Sequence, residues 1–182
     1  SGNRPDLKPA DVMSSSTFLG QTFDSIPQTN WFNSNGKKVK KLQNIDFKVA
    51  VSFPGEKRSY VKEVSDHLKE VLGPNAVFYD NDFKSQIAQP NADTLLQNIY
   101  HRQSELIVVF ICEEYVEKEW CGLEFRAIKD LIKQKKDEQI MLVRFDNAPL
   151  SGIYDSDGFI DANSHTPEEV ASFAIERLHL ED

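Results

Sequence analysis

One carboxylate occupies a position where the sequence pattern predicts an apolar side chain. Between residues 114 and 134, apolar side chains recur at spacings of three and four, which predicts an amphipathic helix with one buried stripe. Glu124 lies in that stripe, four residues after Trp120 and four residues before Ile128. A partly desolvated helix face raises the pKa of a carboxylate, and a polar ligand beside it offsets that cost. Glu124 is therefore a candidate for contact with a polar ligand; the alternative is an acid at the rim whose stem packs while its head reaches water.

A nucleophilic cysteine is a second candidate in the same predicted helix. Cys121 would need a nearby base, and histidine commonly has that role. No histidine has a position in the sequence that identifies it as this base; the four are His67, His101, His165 and His179. Free cysteines are usually small buried hydrophobic residues, so the sequence disfavours a cysteine hydrolase.

Composition excludes several classes of function. The chain has 182 residues and a formal net charge of -8, which disfavours nucleic acid as a partner because phosphate binding needs a basic surface. Its two cysteines are too few for a disulfide scaffold and lack the spacing of zinc ligands. No run of residues is long and apolar enough to cross a membrane, and no signal peptide is recognisable. We expect a cytoplasmic protein that binds no nucleic acid, no membrane and no metal.

Short apolar runs alternate with helical patterns along most of the chain. Five strands are predicted, at residues 47–53, 76–80, 105–112, 139–145 and 158–162. Helices are predicted at 56–72, 92–102 and 114–134, and a last helix begins near Thr166, which has the position of an N-cap. This alternation predicts an α/β fold with a flavodoxin-like five-stranded parallel sheet of order 2-1-3-4-5 and helices on both faces. Such folds bind ligands at the carboxyl ends of their strands.

The first 46 residues differ from the rest of the chain. They have no sustained periodicity and are rich in Ser, Asn, Gly and Pro. We interpret residues 1–46 as a linker or the tail of a missing domain, partly disordered, and place the folded domain at 47–180. Within that domain, residues 81–91 are predicted to form a long polar loop after the second strand.

Familiar ligand-binding motifs of this fold are absent from the sequence. The turn after the first strand has one glycine, Gly55, where a dinucleotide-binding Rossmann domain needs G-x-G-x-x-G. No Walker A motif is present. A response-regulator receiver needs an acidic pair after the first strand, and Ser52 and Phe53 occupy that place.

Four segments resemble the Toll/interleukin-1 receptor (TIR) domain, and within it the bacterial branch that cleaves NAD. They are VSFPGEKRSYV (51–61), VFYD (77–80), YVEKEWCGLE (115–124) and LVRFDNAPLSGIYDSDGFID (142–161). The resemblance covers most of the chain, from about residue 47 to 178, and leaves residues 1–46 without a counterpart. WCGLE (120–124) looks like the W-x-x-x-E motif of TIR domains that cleave NAD, which implies that Glu124 is catalytic. The resemblance implies NAD as the substrate, with no separate cofactor, and nicotinamide and ADP-ribose as products, the latter in linear or cyclic form.

Substrate-binding residues are expected at the ends of the first two strands. The candidates are Phe53, Pro54 and Gly55 in the first loop, Arg58 for the pyrophosphate, Tyr79 and Asp80 after the second strand, and Trp120 as a wall of the site. For three of them a plainer interpretation stays open. Trp120 is alternatively a core residue, Arg58 a surface charge, and Asp80 a cap of its own loop.

Two other functions stay open at the level of sequence. One is a non-catalytic TIR adaptor that acts by TIR–TIR assembly, and the other is an enzyme of the nucleoside deoxyribosyltransferase type. For the enzyme, the resemblance implies a role in bacterial antiphage defence and activity that depends on self-association. We expect residues 81–91 to contact a neighbouring domain through Phe83 and Ile87, and a sensor domain to belong to the natural protein.

Overall fold

Five parallel strands form one sheet in the computed structural model of the chain, which describes residues 40–114, 122–134, 137–149 and 158–180. The spatial order β2-β1-β3-β4-β5 confirms the predicted topology. Seven of the eight residues in β3 are buried, as expected for a central strand covered on both faces. The strands are β1 (Phe47–Ser52), β2 (Val77–Phe78), β3 (Ser104–Ile111), β4 (Ile140–Arg144) and β5 (Ile160–Asp161).

Helices cover both faces of this sheet. They are α1 (Arg58–Leu72), α2 (Lys84–Ile87), α3 (Ala92–Arg102), α4 (Gly122–Lys133) and α5 (Pro167–Leu178). On one face α1 packs against α5, and on the other α3 packs against α4. Ile128 and Leu131 of α4 are fully buried in the second of these layers, and each such side chain contributes about 1.5–3 kcal/mol by leaving water. Thr166 caps α5 as predicted, since its hydroxyl accepts the backbone N–H of Glu169 at 3.2 Å.

The segment after β2 is more regular than the sequence predicted. Residues 81–91 were expected to be a polar loop, but a 3-10 turn (Asp80–Phe83) leads directly into α2. Phe83 explains the difference: its ring stacks on Phe78 at 5.8 Å and meets Phe47 edge-on at 5.8 Å. Ile87 is half-buried against the same cluster. For the same reason β2 is shorter than its predicted span of 76–80, because the chain leaves the sheet at Tyr79 to enter this turn.

Packing begins a few residues before the predicted domain boundary. Leu42 and Ile45 are 1% and 4% exposed and belong to the core on the α3 side. Gln103 donates its side-chain amide to both of their carbonyl oxygens, at 2.7 and 2.8 Å. The Leu42 amide in turn donates to Gln86 Oε1 of α2 at 2.9 Å. The boundary between residues 46 and 47 stays a prediction, but these contacts tie residues 42–45 to the sheet.

Candidate functional site

The carboxyl ends of β1 and β3 lie side by side at the point where the strand order reverses. In the sheet β1 lies between β2 and β3, and β4 and β5 follow outward from β3. Open α/β sheets bind their ligands at such a switch point, outside the carboxyl ends of the strands. The residues that follow β1, β2, β3 and β4 therefore define the region in which a site is expected.

Glu124 belongs to this region by its backbone position. It lies in the first turn of α4, one turn ahead of the buried Ile128. Because α4 returns from the end of β3 to the start of β4, its first turn lies at the carboxyl edge of the sheet. The Glu124 side chain and the whole of Trp120 lie outside the described residues. Their roles in catalysis and substrate binding stay predictions.

Four of the predicted substrate-binding residues come together where β1 and β2 end. We call them the Arg58 clamp: Phe53, Arg58, Tyr79 and Asp80. The rings of Phe53 and Tyr79 stack at 5.6 Å, and the Arg58 guanidinium lies 4.9 Å from the centre of the Phe53 ring. Arg58 Nη1 donates to Asp80 Oδ1 at 3.0 Å, and its second nitrogen, Nη2, lies 3.5 Å from Oδ2. The clamp therefore joins the first turn of α1 to the end of β2.

The polar groups of the Arg58 clamp contact one another. Burial opposes the charge of Arg58, but hydrogen bonds to Asp80 and Tyr79 outweigh it and raise the arginine pKa above its usual value. Phe53 and Tyr79 are only 7% and 2% exposed, so their rings serve the core on the α1 side. Binding of substrate by these residues stays a prediction, and their packing accounts for their positions without a ligand.

A second ion pair holds the turn after β2 in place. Lys69 Nζ of α1 lies 2.5 Å from Asp82 Oδ2, and both side chains are about nine-tenths buried, with 11% and 10% exposed. The same ammonium lies 5.3 Å from the centre of the Tyr79 ring, and the Arg58 guanidinium lies 5.9 Å from the same ring centre. Two cations of α1 thus fix the turn Asp80–Phe83.

Pro54 and Gly55 open the 3-10 turn that precedes α1. The Pro54 carbonyl accepts the backbone N–H of Lys57 at 3.0 Å, which closes the turn. A Cβ built on Gly55 meets no atom within 4 Å, so the turn borders open space and steric crowding does not require a glycine there. This leaves room beside the end of β1 for a ligand.

A charged contact that the motifs in the sequence do not indicate lies on the other side of β1; we call it the Lys57 pair, Lys57 and Glu114. Lys57 Nζ lies 3.9 Å from Glu114 Oε1 and 5.2 Å from the centre of the Phe145 ring. The three residues follow β1, β3 and β4, so three loops of the carboxyl edge converge at the switch point. A signal was present in the sequence, since Lys57 lies in the loop after β1 and Glu114 is the third residue after β3.

The residues that follow β3 favour the ionised form of Glu114. A hydrogen bond with the Cys112 side chain, then one from the backbone of Glu114 itself, and then the charge of Lys57 lower the pKa of this carboxyl. Next to it, the Glu113 amide donates to Asp146 Oδ2 at 2.8 Å, which ties the end of β3 to the loop after β4. Glu114 is therefore ionised at neutral pH on a backbone fixed by this contact.

Phe145 is supported from beneath by aromatic side chains. The Tyr60 ring meets it edge-on at 5.1 Å, and Phe110 stacks on it at 6.1 Å. The Tyr60 hydroxyl donates to the His165 carbonyl at 2.7 Å, just before α5. The Phe145 ring is thus packed against the core on the α1 side of the sheet.

The described residues contain no group of three His, Cys, Asp or Glu side chains placed to hold a metal ion. Within the same residues, no helix has the length and apolar character needed to span a membrane.

Comparison with known proteins gives a family match and a curated relative. A family model described as TIR domain matches residues 49–178. A protein of Aquimarina amphilecti, the 3' cyclic ADP-D-ribose synthase AaTIR, is 33% identical over 138 residues, which are 76% of this chain. The same alignment covers 42% of that relative, so the chain spans less than half of the relative's length.

Proposed function

The chain belongs to the TIR domain family, and from this membership we propose that it cleaves the bond between nicotinamide and ribose in NAD. The observation that carries the proposal is the 33% identity, over most of this chain, to a synthase of cyclic ADP-ribose. ADP-ribose is the part of NAD that is left when nicotinamide departs. A chain of this family with that relative is expected to act on the same bond.

Cleavage of this bond requires a carboxylate to stabilise positive charge, and it does not require a general acid to protonate the leaving group. The ring nitrogen of nicotinamide is already cationic in NAD, so the electron pair of the C1′–N bond neutralises it and the base leaves without a proton. Positive charge develops instead on the ribosyl carbon and ring oxygen, as in glycoside hydrolysis. A preorganised charge beside such a centre is typically worth about 3–4 kcal/mol. We assign this task to Glu124, on the strength of its W-x-x-x-E spacing and its place in the first turn of α4.

The attacking group determines the product. Attack of water on C1′, with loss of its proton, gives ADP-ribose. Attack of a hydroxyl of the same molecule, with loss of that proton, gives a cyclic ADP-ribose. Glycohydrolase and cyclase are therefore two outcomes of one proposed site.

The wider role that we propose is that of an effector in bacterial antiphage defence. It would act in the cytoplasm by consuming NAD or by making a nucleotide signal, and self-association through TIR–TIR contacts would increase its activity. Phe83 and Ile87, which we expected to contact a neighbour, are packed on the core of their own domain. Replacing them would damage the fold, so dilution of the intact protein tests self-association better than mutation does.

The test is to incubate the chain with NAD and to resolve nicotinamide, ADP-ribose and its cyclic isomers by chromatography. Enzyme concentration should cover a hundredfold range, over which the rate per mole of enzyme is expected to rise. Glu124→Gln is the matched variant, since it keeps volume and hydrogen-bonding atoms but removes the charge. We expect its rate to fall about a hundredfold or more, with an unchanged circular dichroism spectrum and thermal midpoint. Absence of nicotinamide from the wild type at all concentrations would contradict the enzyme and favour the adaptor, and a Glu124→Gln rate above about a tenth of wild type would remove Glu124 from catalysis.

A further inference from the structure

The Lys57 pair is the loosest charged contact at the carboxyl edge of β1. Its atoms are 3.9 Å apart, which is too long for a hydrogen bond, and the two side chains are 30% and 40% exposed. An exposed pair of this kind contributes little to stability because water screens it. Arg58, the next residue, instead makes a hydrogen bond of 3.0 Å with Asp80. The Arg58 and Asp80 side chains are about as exposed, at 40% and 29%, so the two pairs differ in hydrogen bonding and not in burial. Lys57 can therefore exchange its partner at a smaller cost than Arg58 can.

Lys57 also has the position that an anionic substrate requires. It lies between the ends of β1 and β3, at the switch point, and the turn that carries it borders open space at Gly55. An ammonium on a flexible stem suits a pyrophosphate, whose oxygens offer several acceptors around one centre of charge. The Phe145 ring, 5.2 Å away, gives the ammonium a second favourable surface and limits its range.

Glu114 is the less movable partner of the two. Its side chain is shorter than that of lysine, and the neighbouring amide of Glu113 donates to Asp146 Oδ2 at 2.8 Å, which fixes the backbone beside it. When an anion reaches the switch point, Lys57 is the group that turns toward it, and Glu114 is left as an unpaired negative charge next to the anion. The carboxylate therefore opposes binding in two ways, through its attraction to Lys57 and through direct repulsion.

We propose that Lys57 binds the pyrophosphate of the substrate and that Glu114 competes for Lys57, so that the pair sets the affinity for anionic substrates. The proposal rests on the proposed NAD cleavage and replaces Arg58, to which sequence analysis assigned the pyrophosphate. Glu114 is a specificity-determining residue in this scheme and takes no part in breaking the bond.

The experiment compares two substrates that share the scissile bond and differ in charge: NAD, and nicotinamide riboside, which lacks phosphate. Lys57→Met should raise KM for NAD about tenfold, the loss expected for a charge-assisted hydrogen bond, and leave kcat nearly unchanged. Glu114→Gln should lower KM for NAD about threefold, as expected for an exposed charge pair. Neither variant should change KM for nicotinamide riboside, and Lys57→Arg should restore most of the affinity for NAD.

A matched control and a binding measurement complete the design. Lys62 is an exposed lysine of α1 whose ammonium lies 2.6 Å from Asp66, and Lys62→Met removes the same charge away from the switch point. It should change KM for NAD less than twofold. Calorimetric titration with ADP-ribose gives a readout that does not depend on turnover, and Kd should follow the same order as KM. In the double variant of Lys57→Met and Glu114→Gln, the gain from Glu114→Gln should shrink, because the partner through which it acts is gone.

The outcomes separate this proposal from the enzymatic one. Equal KM changes for NAD and nicotinamide riboside, or a Lys57→Met variant that binds ADP-ribose as wild type does, would overturn the role of Lys57. If Glu114→Gln lowered KM for NAD as much in the Lys57→Met background as in the wild type, the proposed competition for Lys57 would be wrong. A wild type that binds ADP-ribose with the expected variant order but releases no nicotinamide would support the Lys57 pair and contradict only the catalytic proposal. A wild type that neither binds ADP-ribose nor cleaves NAD would contradict both.

Discussion

The two sides of β1 end in different environments, although the residues that make them are adjacent in sequence. Toward β2, Arg58 is held by Asp80 at 3.0 Å and lies over two stacked rings, and Lys69 and Asp82 form a nearly buried pair next to it. Toward β3, Lys57 approaches Glu114 only to 3.9 Å in the presence of solvent. On the β2 side each cation has an anionic partner within 3.0 Å, whereas on the β3 side the partner of Lys57 lies beyond hydrogen-bond distance.

This difference separates a structural cluster from a binding one. A short, desolvated ion pair costs several kcal/mol when one partner is removed, because the other is left buried and uncompensated. A long, exposed pair costs little, so changing it alters ligand binding more than stability. Removing a buried side chain on the β2 side, such as Lys69, Asp82 or Tyr79, should therefore lower stability, whereas substitutions in the Lys57 pair should alter KM.

The largest effect is expected for Tyr79→Ala on the β2 side. Tyr79 is 2% exposed and its ring stacks on Phe53, so truncation should lower the free energy of unfolding by about 3–5 kcal/mol. Tyr79→Phe keeps the ring and removes only the hydroxyl, which lies 3.4 Å from Arg58, and should cost less than about 1 kcal/mol. Urea denaturation followed by circular dichroism measures both. A loss below about 1 kcal/mol for Tyr79→Ala would show that this ring is available to a ligand.

A smaller effect is expected for the Arg58–Asp80 pair. A double-mutant cycle with Arg58→Met and Asp80→Asn should give a coupling free energy of about 0.5–1 kcal/mol, since the pair is partly exposed but well oriented. The exposed pair Lys62–Asp66, one turn apart on α1, is the control and should give about 0.3–0.5 kcal/mol. No coupling between Arg58 and Asp80, together with a tenfold rise in KM for NAD in Arg58→Met, would reverse the assignment of the two cations.

The strand order of the sheet could be predicted from the sequence, but the different surroundings of Lys57 and Arg58 could not. Strand order follows from local features, namely short apolar runs, intervening helices and the right-handed crossover, so the order 2-1-3-4-5 was predicted and is confirmed. Which way Lys57 and Arg58 face depends on where a 3-10 turn ends and α1 begins, at the boundary between these two residues. The pattern of apolar and polar residues does not show where the 3-10 turn ends and α1 begins, because both residues are basic and both follow β1.

The segment after β2 shows a second kind of limit. Its polar composition predicted a loop, and the two apolar side chains, Phe83 and Ile87, were assigned to a neighbouring domain. Their spacing of four residues is that of one helical turn, and both pack on their own core. Tertiary packing outweighs the polar composition of this segment. Phe83 packs against Phe78 and Phe47, which are distant enough in sequence that the local pattern does not show them as partners. The role of Glu124, which has no described side chain, stays a prediction from the family motif.

A pH-dependent effect of similar size to that of the Arg58–Asp80 pair concerns Tyr60, whose ring packs against Phe145 on the β3 side. Burial, followed by the negative charges of Glu169, Asp161 and Glu63, raises the pKa of Tyr60 to about 12. The folded protein then keeps the phenolic proton between pH 10, where an unfolded tyrosine loses it, and about pH 12. Stability that is present in full below pH 10 should fall as the pH rises through this window.

Tyr60→Phe isolates this contribution because it keeps the ring under Phe145 and has no proton to lose. At pH 7 the variant should be less stable by about 1 kcal/mol, since the hydrogen bond to the His165 carbonyl is lost. Because Tyr60 is partly exposed and solvent screens its neighbours, the alkaline shift is discounted to about 1 kcal/mol, and the gap between variant and wild type should close by that amount near pH 12. Urea denaturation of both proteins at pH 7, 10 and 11.5 measures the gap, and KM for NAD at pH 7 should not change. A gap of constant size across this series would mean that Tyr60 loses its proton equally in the folded and unfolded chain, and a changed KM would mean that the support of Phe145 reaches the Lys57 pair.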